Sequence, residues 1–283
     1  MAQILRGAPA AAALTEEVKE EALRLRERGV VPTLAILRVG EREDDLAYER
    51  GAMKRAAAAG ISVKNEVLPA DADNETFCRV LEGLNEDASV HGILLFLPLP
   101  PQLDGERARR LMRAEKDVDG CTDGSLAGVF LNKKLGFPPC TAEAVMELLH
   151  YYGIPVSGKK AVVIGRSLVI GRPVSMLLMH ENATVTICHT KTPDVAALTR
   201  KADIVVAASG QMESVDSGFL AEGQVVIDVG ISWNEEKGKL CGDVLFEEAE
   251  PLVSAITPVP GGVGAVTTAV LMRHVIEAAN GRR

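Results

Sequence analysis

Short apolar runs set between helical patterns constrain this chain more than any other feature. His91–Leu97, Ala161–Ile164, Ile204–Ala207 and Val225–Val229 are near-continuous apolar segments, of a length that suits strands buried on both faces. Helical patterns cover 14–29, 47–59, 143–152, 172–180 and 263–279, and further strand patterns cover 33–39, 61–68 and 184–187. Asn74 is placed to cap a helix running to about Asn85, and Gly60 to end the one before it. Pro98-Leu99-Pro100-Pro101 stops the strand before it, because proline cannot continue a ladder. Strands alternating with helices predict an α/β fold with a mostly parallel, doubly wound sheet. At 283 residues two domains are expected, 1–140 and 141–262, with 263–283 packing back on the first.

Composition narrows the partners. A net charge of -8 argues against a duplex-binding surface, and 4% aromatic residues against a stacking platform for single strands. No window approaches 18 uncharged apolar residues, and the first thirty residues lack a basic segment followed by an apolar core. A cytoplasmic protein is therefore expected, with no nucleic-acid or membrane partner. The five cysteines are odd in number and include no CxxC spacing, so neither a disulfide framework nor a metal site is expected.

One segment carries chemistry by its form. Val162-Val163-Ile164 leads into Gly165-Arg166-Ser167-Leu168-Val169-Ile170-Gly171 and then a helical pattern. A glycine turn between strand and helix presents backbone N–H groups that suit a pyrophosphate. Ser167 stands where the second glycine of G-x-G-x-x-G belongs, and a tight turn that binds nothing has the same outline. Arg166 tips the balance, since a guanidinium there can pair with the 2′-phosphate that NADP has and NAD lacks. Thr190 follows the next strand and can join that pocket, and no acidic residue directly follows the strand to bind a ribose diol. His189 reads as a structural histidine at a strand end.

Eight segments in order now resemble one family over nearly the whole chain. They are Pro32–Gly40, Gly92–Pro100, Glu115–Gly120, Pro139–Thr141, Gly165–Pro173, Asp228–Ile231, Gly242–Val244 and Thr257–Gly264. The family is methylenetetrahydrofolate dehydrogenase/methenyltetrahydrofolate cyclohydrolase. The resemblance implies an N-terminal α/β catalytic domain, a C-terminal Rossmann-like domain, a cleft between them, and a homodimer. It implies hydride transfer from 5,10-methylenetetrahydrofolate to NADP, followed in most members by hydrolysis to 10-formyltetrahydrofolate. Tyr48 matches the tyrosine that stacks on the folate, although a tyrosine on an amphipathic helix also serves plain packing. Asp119 matches the carboxylate that binds the pterin. Pro260, Gly261 and Gly262 match a loop close to the ligands. Gly165, Arg166, Ser167, Thr190 and Ile231 fall at cofactor positions.

The chain departs from the family at the catalytic helix. Where the family reads Tyr-x-x-x-Lys, this chain reads Tyr48-Glu49-Arg50-Gly51-Ala52. Lys54 is rotated by roughly 200° from that position on a helix of 3.6 residues per turn. The family glutamine that bonds the lysine is Phe96 here, the serine three before the tyrosine is Asp45, and an asparagine after the DVDG turn is Ser125. Asp45 reads as a helix N-cap or as a new proton-handling group. Hydride loss from a carbon between two nitrogens needs alignment and no base, whereas ring opening by water needs a placed acid/base. A dehydrogenase with weak or absent cyclohydrolase activity is thus expected. A fully bifunctional enzyme using Asp45 is the rival. A silent folate- and NADP-binding protein would fail to reduce NADP, and a shikimate-type dehydrogenase would lack the DVDG and TPVPGGVG segments.

Overall fold

The computed structural model describes residues 1–281, so the last two residues of the 263–283 segment lie outside the described residues. In chain order the first elements are β1 (Gln3–Ile4), α1 (Gly7–Glu27), β2 (Thr33–Val39), α2 (Glu43–Ala59), β3 (Ser62–Leu68), α3 (Asn74–Glu86) and β4 (Gly92–Leu95). Next come α4 (Gly105–Leu111), α5 (Asp123–Leu131), α6 (Cys140–Tyr151), β5 (Lys160–Ile164), α7 (Gly171–His180), β6 (Thr184–Cys188) and α8 (Val195–Thr199). The chain ends with β7 (Ile204–Ala207), β8 (Val225–Asp228), β9 (Ser232–Asn234), β10 (Lys239–Cys241), α9 (Phe246–Ala249), β11 (Ala255–Ile256) and α10 (Gly264–Ala279). Among the described residues no helix is long and apolar enough to cross a membrane.

These elements form two compact units. One comprises Ala12–Cys140 and the chain from Thr268 onward. Its sheet is three parallel strands in the order β3-β2-β4. β2 lies in the centre, and six of its seven residues are buried. Ala35, Leu37 and Val39 pack with Phe77, Leu81 and Ile93, so alternate residues of the strand feed one apolar layer.

The other unit comprises Met1–Ala11 and Thr141–Thr267. It carries six parallel strands in the order β1-β11-β8-β7-β5-β6, plus a β9–β10 hairpin. The first eleven residues, placed by sequence in the N-terminal domain, join this unit instead. The reason is β1, whose Gln3 and Ile4 pair in parallel with Ala255 and Ile256. Two residues make a strand too short to read from periodicity.

Several boundaries move for local reasons. Helix α1 starts at Gly7, seven residues before its apolar pattern, with Pro9 in the first turn, where a missing N–H costs nothing. Helix α2 starts at Glu43, so Asp45 is not a cap. It lies inside the first turn, with Glu43 and Asp44, where acidic groups suit the helix dipole. Gly60 ends α2 as expected, with φ of 72°. Asp73, not Asn74, caps α3: its carboxylate accepts the Thr76 N–H at 2.7 Å, and Asn74 instead accepts from the backbone of Asp104. β4 is shorter than the 91–97 run. Helices α4 and α5 had no clear pattern in the sequence. Thr122 caps α5 by accepting the Ser125 N–H at 3.2 Å.

Candidate active site

The glycine loop after β5 is built by close approach. Gly165 has φ of +129°, and a Cβ there would collide with the Ala208 carbonyl. Gly171, which opens α7, would drive a Cβ into the Gly165 carbonyl. Both positions therefore require glycine. Ser167 stands in the place of the missing middle glycine. Its Oγ accepts the Ile170 N–H at 3.2 Å and closes the turn with a side chain. Gly165→Ala is expected to destabilise by about 2–4 kcal/mol, combining backbone strain with a clash against the Ala208 carbonyl. A lower melting temperature is the measurement that checks it.

Gly165, Arg166, His189, Thr190 and Ser209 line a pocket of about 320 Å³. Arg166 and Thr190 are exposed at it. Ser167 and Ile231 are outside that lining, and Ile231 is 63% exposed. His189 is occupied with its own turn, as its Nδ1 accepts from Lys191 and its N–H donates to Thr192. Asp243 escaped the sequence reading as an individual residue. Its Oδ2 accepts from the Ser209 N–H at 2.6 Å, the Ser209 hydroxyl at 2.9 Å and the Gly210 N–H at 2.9 Å, which fixes the pocket wall. Asp228 beneath it is buried and accepts backbone N–H groups of Gly230, Asp243 and Val244. Burial, with the neighbouring Asp243 charge, pushes the Asp228 carboxyl up to about 7 despite those bonds.

In the same unit, Gly261 has φ of +102°, and its carbonyl accepts the Gly7 N–H at 2.8 Å. A Cβ on Gly262 would stand 2.6 Å from the Pro258 carbonyl. Pro260 and Gly261 are exposed, so the loop offers nearly bare backbone.

The other unit holds Tyr48 and Asp119. Tyr48, half-buried on α2, meets Phe96 edge to face with ring centroids 5.9 Å apart and planes at 86°. The buried face of α2 is Asp45, Glu49, Ala52, Ala56 and Ala59. Ala52 is completely buried and Lys54 is exposed, as the helical rotation demands. Asp45 is buried, but its Oδ1 accepts from Arg42 Nη2 at 3.0 Å while Arg42 Nη1 donates to the Pro98 carbonyl. Arg38, from β2, donates to Glu49 at 2.6 Å, and Asn65 donates to the other Glu49 oxygen at 3.2 Å. Arg38 also bonds the Gly40 carbonyl.

The two acids of the Lys116–Gly120 turn divide their duties. Asp117 is fully buried and accepts the Cys121 and Thr122 N–H groups, which shapes the turn. Asp119 keeps part of its surface open, yet burial of its carboxyl and the nearby Asp117 charge push it up to about 7. Cys140 and His274 pull the other way, toward the anion. Burial, then the Asp119 and Cys140 charges, raise the Tyr48 phenol well above its ordinary value, so it stays neutral. Around Tyr48, then, Phe96 offers no hydrogen bond and Ala52 no proton.

Residues 5–119 match the family model described as the catalytic domain of tetrahydrofolate dehydrogenase/cyclohydrolase, and residues 139–283 match its NAD(P)-binding domain. The chain is 50% identical over 279 residues to a bifunctional FolD protein of Carboxydothermus hydrogenoformans, covering 98% of this chain and 97% of that one. It superposes on the Campylobacter jejuni bifunctional methylenetetrahydrofolate dehydrogenase/cyclohydrolase with a TM-score of 0.96 at 37% identity, covering all of both chains. A Trypanosoma brucei dehydrogenase-cyclohydrolase, solved with NADP and an inhibitor, matches with a TM-score of 0.92 at 37% identity over 99% of this chain and 98% of that one. A chain whose residues 5–119 and 139–283 match the two domains of this family is a member of the tetrahydrofolate dehydrogenase/cyclohydrolase family.

Proposed function

We propose that this protein oxidises 5,10-methylenetetrahydrofolate to the methenyl cation with NADP as acceptor, and that it hydrolyses that cation weakly or not at all. The observation that carries the second half is a buried Ala52 four residues after Tyr48, with Phe96 edge to face against that tyrosine. When bound, NADP supplies the hydride acceptor. The bare backbone at Gly165 and Gly171 suits a pyrophosphate at the α7 N-terminus, and the exposed Arg166 suits a 2′-phosphate. Ser167, Thr190 and Ile231 complete the cofactor set in this reading. Tyr48 stacks on the folate, Asp119 accepts pterin N–H groups, and Pro260, Gly261 and Gly262 border the ligand. These residues position the reacting carbon, which is what hydride transfer requires.

Arg166→Gln is expected to raise the KM for NADP by about 10–100-fold, the worth of a charge-assisted pair, while changing the KM for NAD little. Steady-state kinetics with both cofactors decide this. We also assign the tyrosine and the carboxylate that hold the folate to the unit containing Tyr48, and the phosphate loop to the unit containing Gly165, in a cytoplasmic homodimer. Sedimentation should then give about twice the 30.1 kDa chain mass.

Purified protein, methylenetetrahydrofolate and NADP, followed at one wavelength for reduced cofactor and another for methenyl product, test the main claim. Methenyl that accumulates one-for-one with reduced cofactor, and decays no faster than in buffer, supports it. Reduced cofactor without methenyl supports the second reading, a bifunctional enzyme. The relatives named bifunctional at about 50% identity favour that reading, and Asp45 would be its proton-handling residue.

A further inference from the structure

The hydrogen bonds around Ser209 leave its hydroxyl with a single capacity to offer a ligand. Ser209 is half-buried in the lining of the pocket that also holds Gly165, Arg166 and Thr190. Behind it Asp243 is fully buried. Asp243 Oδ1 has no hydrogen-bond partner among the described residues, and a Cβ on Gly230 would stand 2.2 Å from it. Every side-chain bond that Asp243 makes therefore runs through Oδ2 to one loop. The Ser209 and Gly210 N–H groups donate to that oxygen at 2.6 and 2.9 Å, so it is an acceptor. The Ser209 hydroxyl, 2.9 Å from the same oxygen, must then spend its proton on it. The Gln211 N–H donates to Ser209 Oγ at 3.1 Å and occupies one of the two lone pairs. One lone pair remains.

We propose that Ser209 is a specificity-determining residue of the cofactor pocket: a pure acceptor, held in that role by Asp243, that takes a hydroxyl or amino hydrogen from the adenosine half of the cofactor. This rests on the reading of the pocket as the NADP site. A phosphate oxygen needs a donor and finds none at Ser209 Oγ, whereas the exposed Arg166 in the same lining carries a fork of N–H donors. The lining is therefore sorted by polarity, with phosphate drawn to Arg166 and a donor group to Ser209. The adenosine half of NADP has two such donors, the adenine amino group and the ribose 3′-hydroxyl, because its 2′ oxygen is esterified. Ile164, Val215 and Phe219, which line the same pocket, suit the face of a purine.

The test is calorimetric titration of the full chain with adenosine 2′,5′-bisphosphate, with its purine analogue bearing hydrogen in place of the amino group, and with its 3′-deoxy analogue. Ser209→Ala should weaken binding of the bisphosphate by about 2–10-fold, the worth of one neutral hydrogen bond. One analogue lacks the donor that Ser209 receives, and Ser209→Ala and the wild type should bind it alike. With the other analogue the loss should persist, which tells the amino group from the hydroxyl. In the wild type itself, the analogue without the donor should bind about 2–10-fold more weakly than the bisphosphate. A Ser209→Ala protein that binds the bisphosphate like the wild type overturns the proposal. So does a loss of equal size with all three probes, because the hydroxyl then only holds its loop. Wild-type binding that neither deletion weakens overturns it without any variant. A wild type that takes up no bisphosphate, or whose uptake Arg166→Gln leaves unchanged, overturns the cofactor reading of the pocket and this proposal with it. Binding weakened by Arg166→Gln, beside an unaffected Ser209→Ala, overturns the role of Ser209 alone.

Discussion

Ala52→Lys combined with Phe96→Gln is expected to raise methenyl hydrolysis by about 10²–10⁴-fold, the usual worth of a positioned acid/base. Residue 52 is four after Tyr48 and so shares its helical face. It is also completely buried, so an ammonium placed there has no water and needs an acceptor. Glutamine at 96 supplies one. Ala52→Lys alone should therefore cost stability and give little rate, and Phe96→Gln alone should give no rate while losing an edge-to-face contact worth about 0.5–1.5 kcal/mol. The pair should be non-additive, because each substitution supplies the partner that the other lacks. Decay of methenyl absorbance, without cofactor, reads the result in each of the four proteins. A double variant no faster than the parent would show that the missing step depends on something other than these two positions.

Arg38→Met is expected to cost about 3–5 kcal/mol, because it strands the Glu49 carboxylate in the interior. Both partners are buried, at 7% exposure each, and the guanidinium satisfies one Glu49 oxygen while Asn65 satisfies the other. At a few degrees per kcal/mol, the melting temperature should fall by roughly 10 °C. Arg38→Met combined with Glu49→Leu should recover most of that loss, since apolar residues of similar volume often replace a buried ion pair without penalty. Urea unfolding of the parent, both single variants and the double variant checks the sign of the coupling. If Arg38→Met alone unfolds at the parent midpoint, the pair contributes nothing.

Local chemistry was legible where one segment settles it. The buried strands at 161–164 and 204–207, the stop at Gly60 and the strand-to-helix glycine turn all follow from runs of a few residues. Asp45 shows the limit of that approach: an acidic residue near a helix start has the signature of a cap, but Glu43 had already begun the helix. Arg38 sat in a segment read only as a strand, because its partner Glu49 comes from another element. His274 meets Val118 across 156 residues, and no spacing announces such a contact. The motif marks Asp119 and its neighbour Asp117, but Cys140 and His274, which pull the Asp119 carboxyl toward the anion, lie distant along the chain.

The Arg38–Glu49 pair also bears on the paths open to this protein under mutation. Either residue changed first leaves the other charge buried, at a cost that is a large share of the roughly 5–15 kcal/mol that holds a domain folded. The apolar alternative is reachable only through an intermediate that folds poorly. Once acquired, the pair is entrenched, and with it the seating of Glu49 beside Tyr48 on the sheet-facing side of α2. A lineage that kept Tyr48 for its chemistry would inherit its ionic anchor by historical lock-in, whether or not the ion pair is the most stable arrangement available.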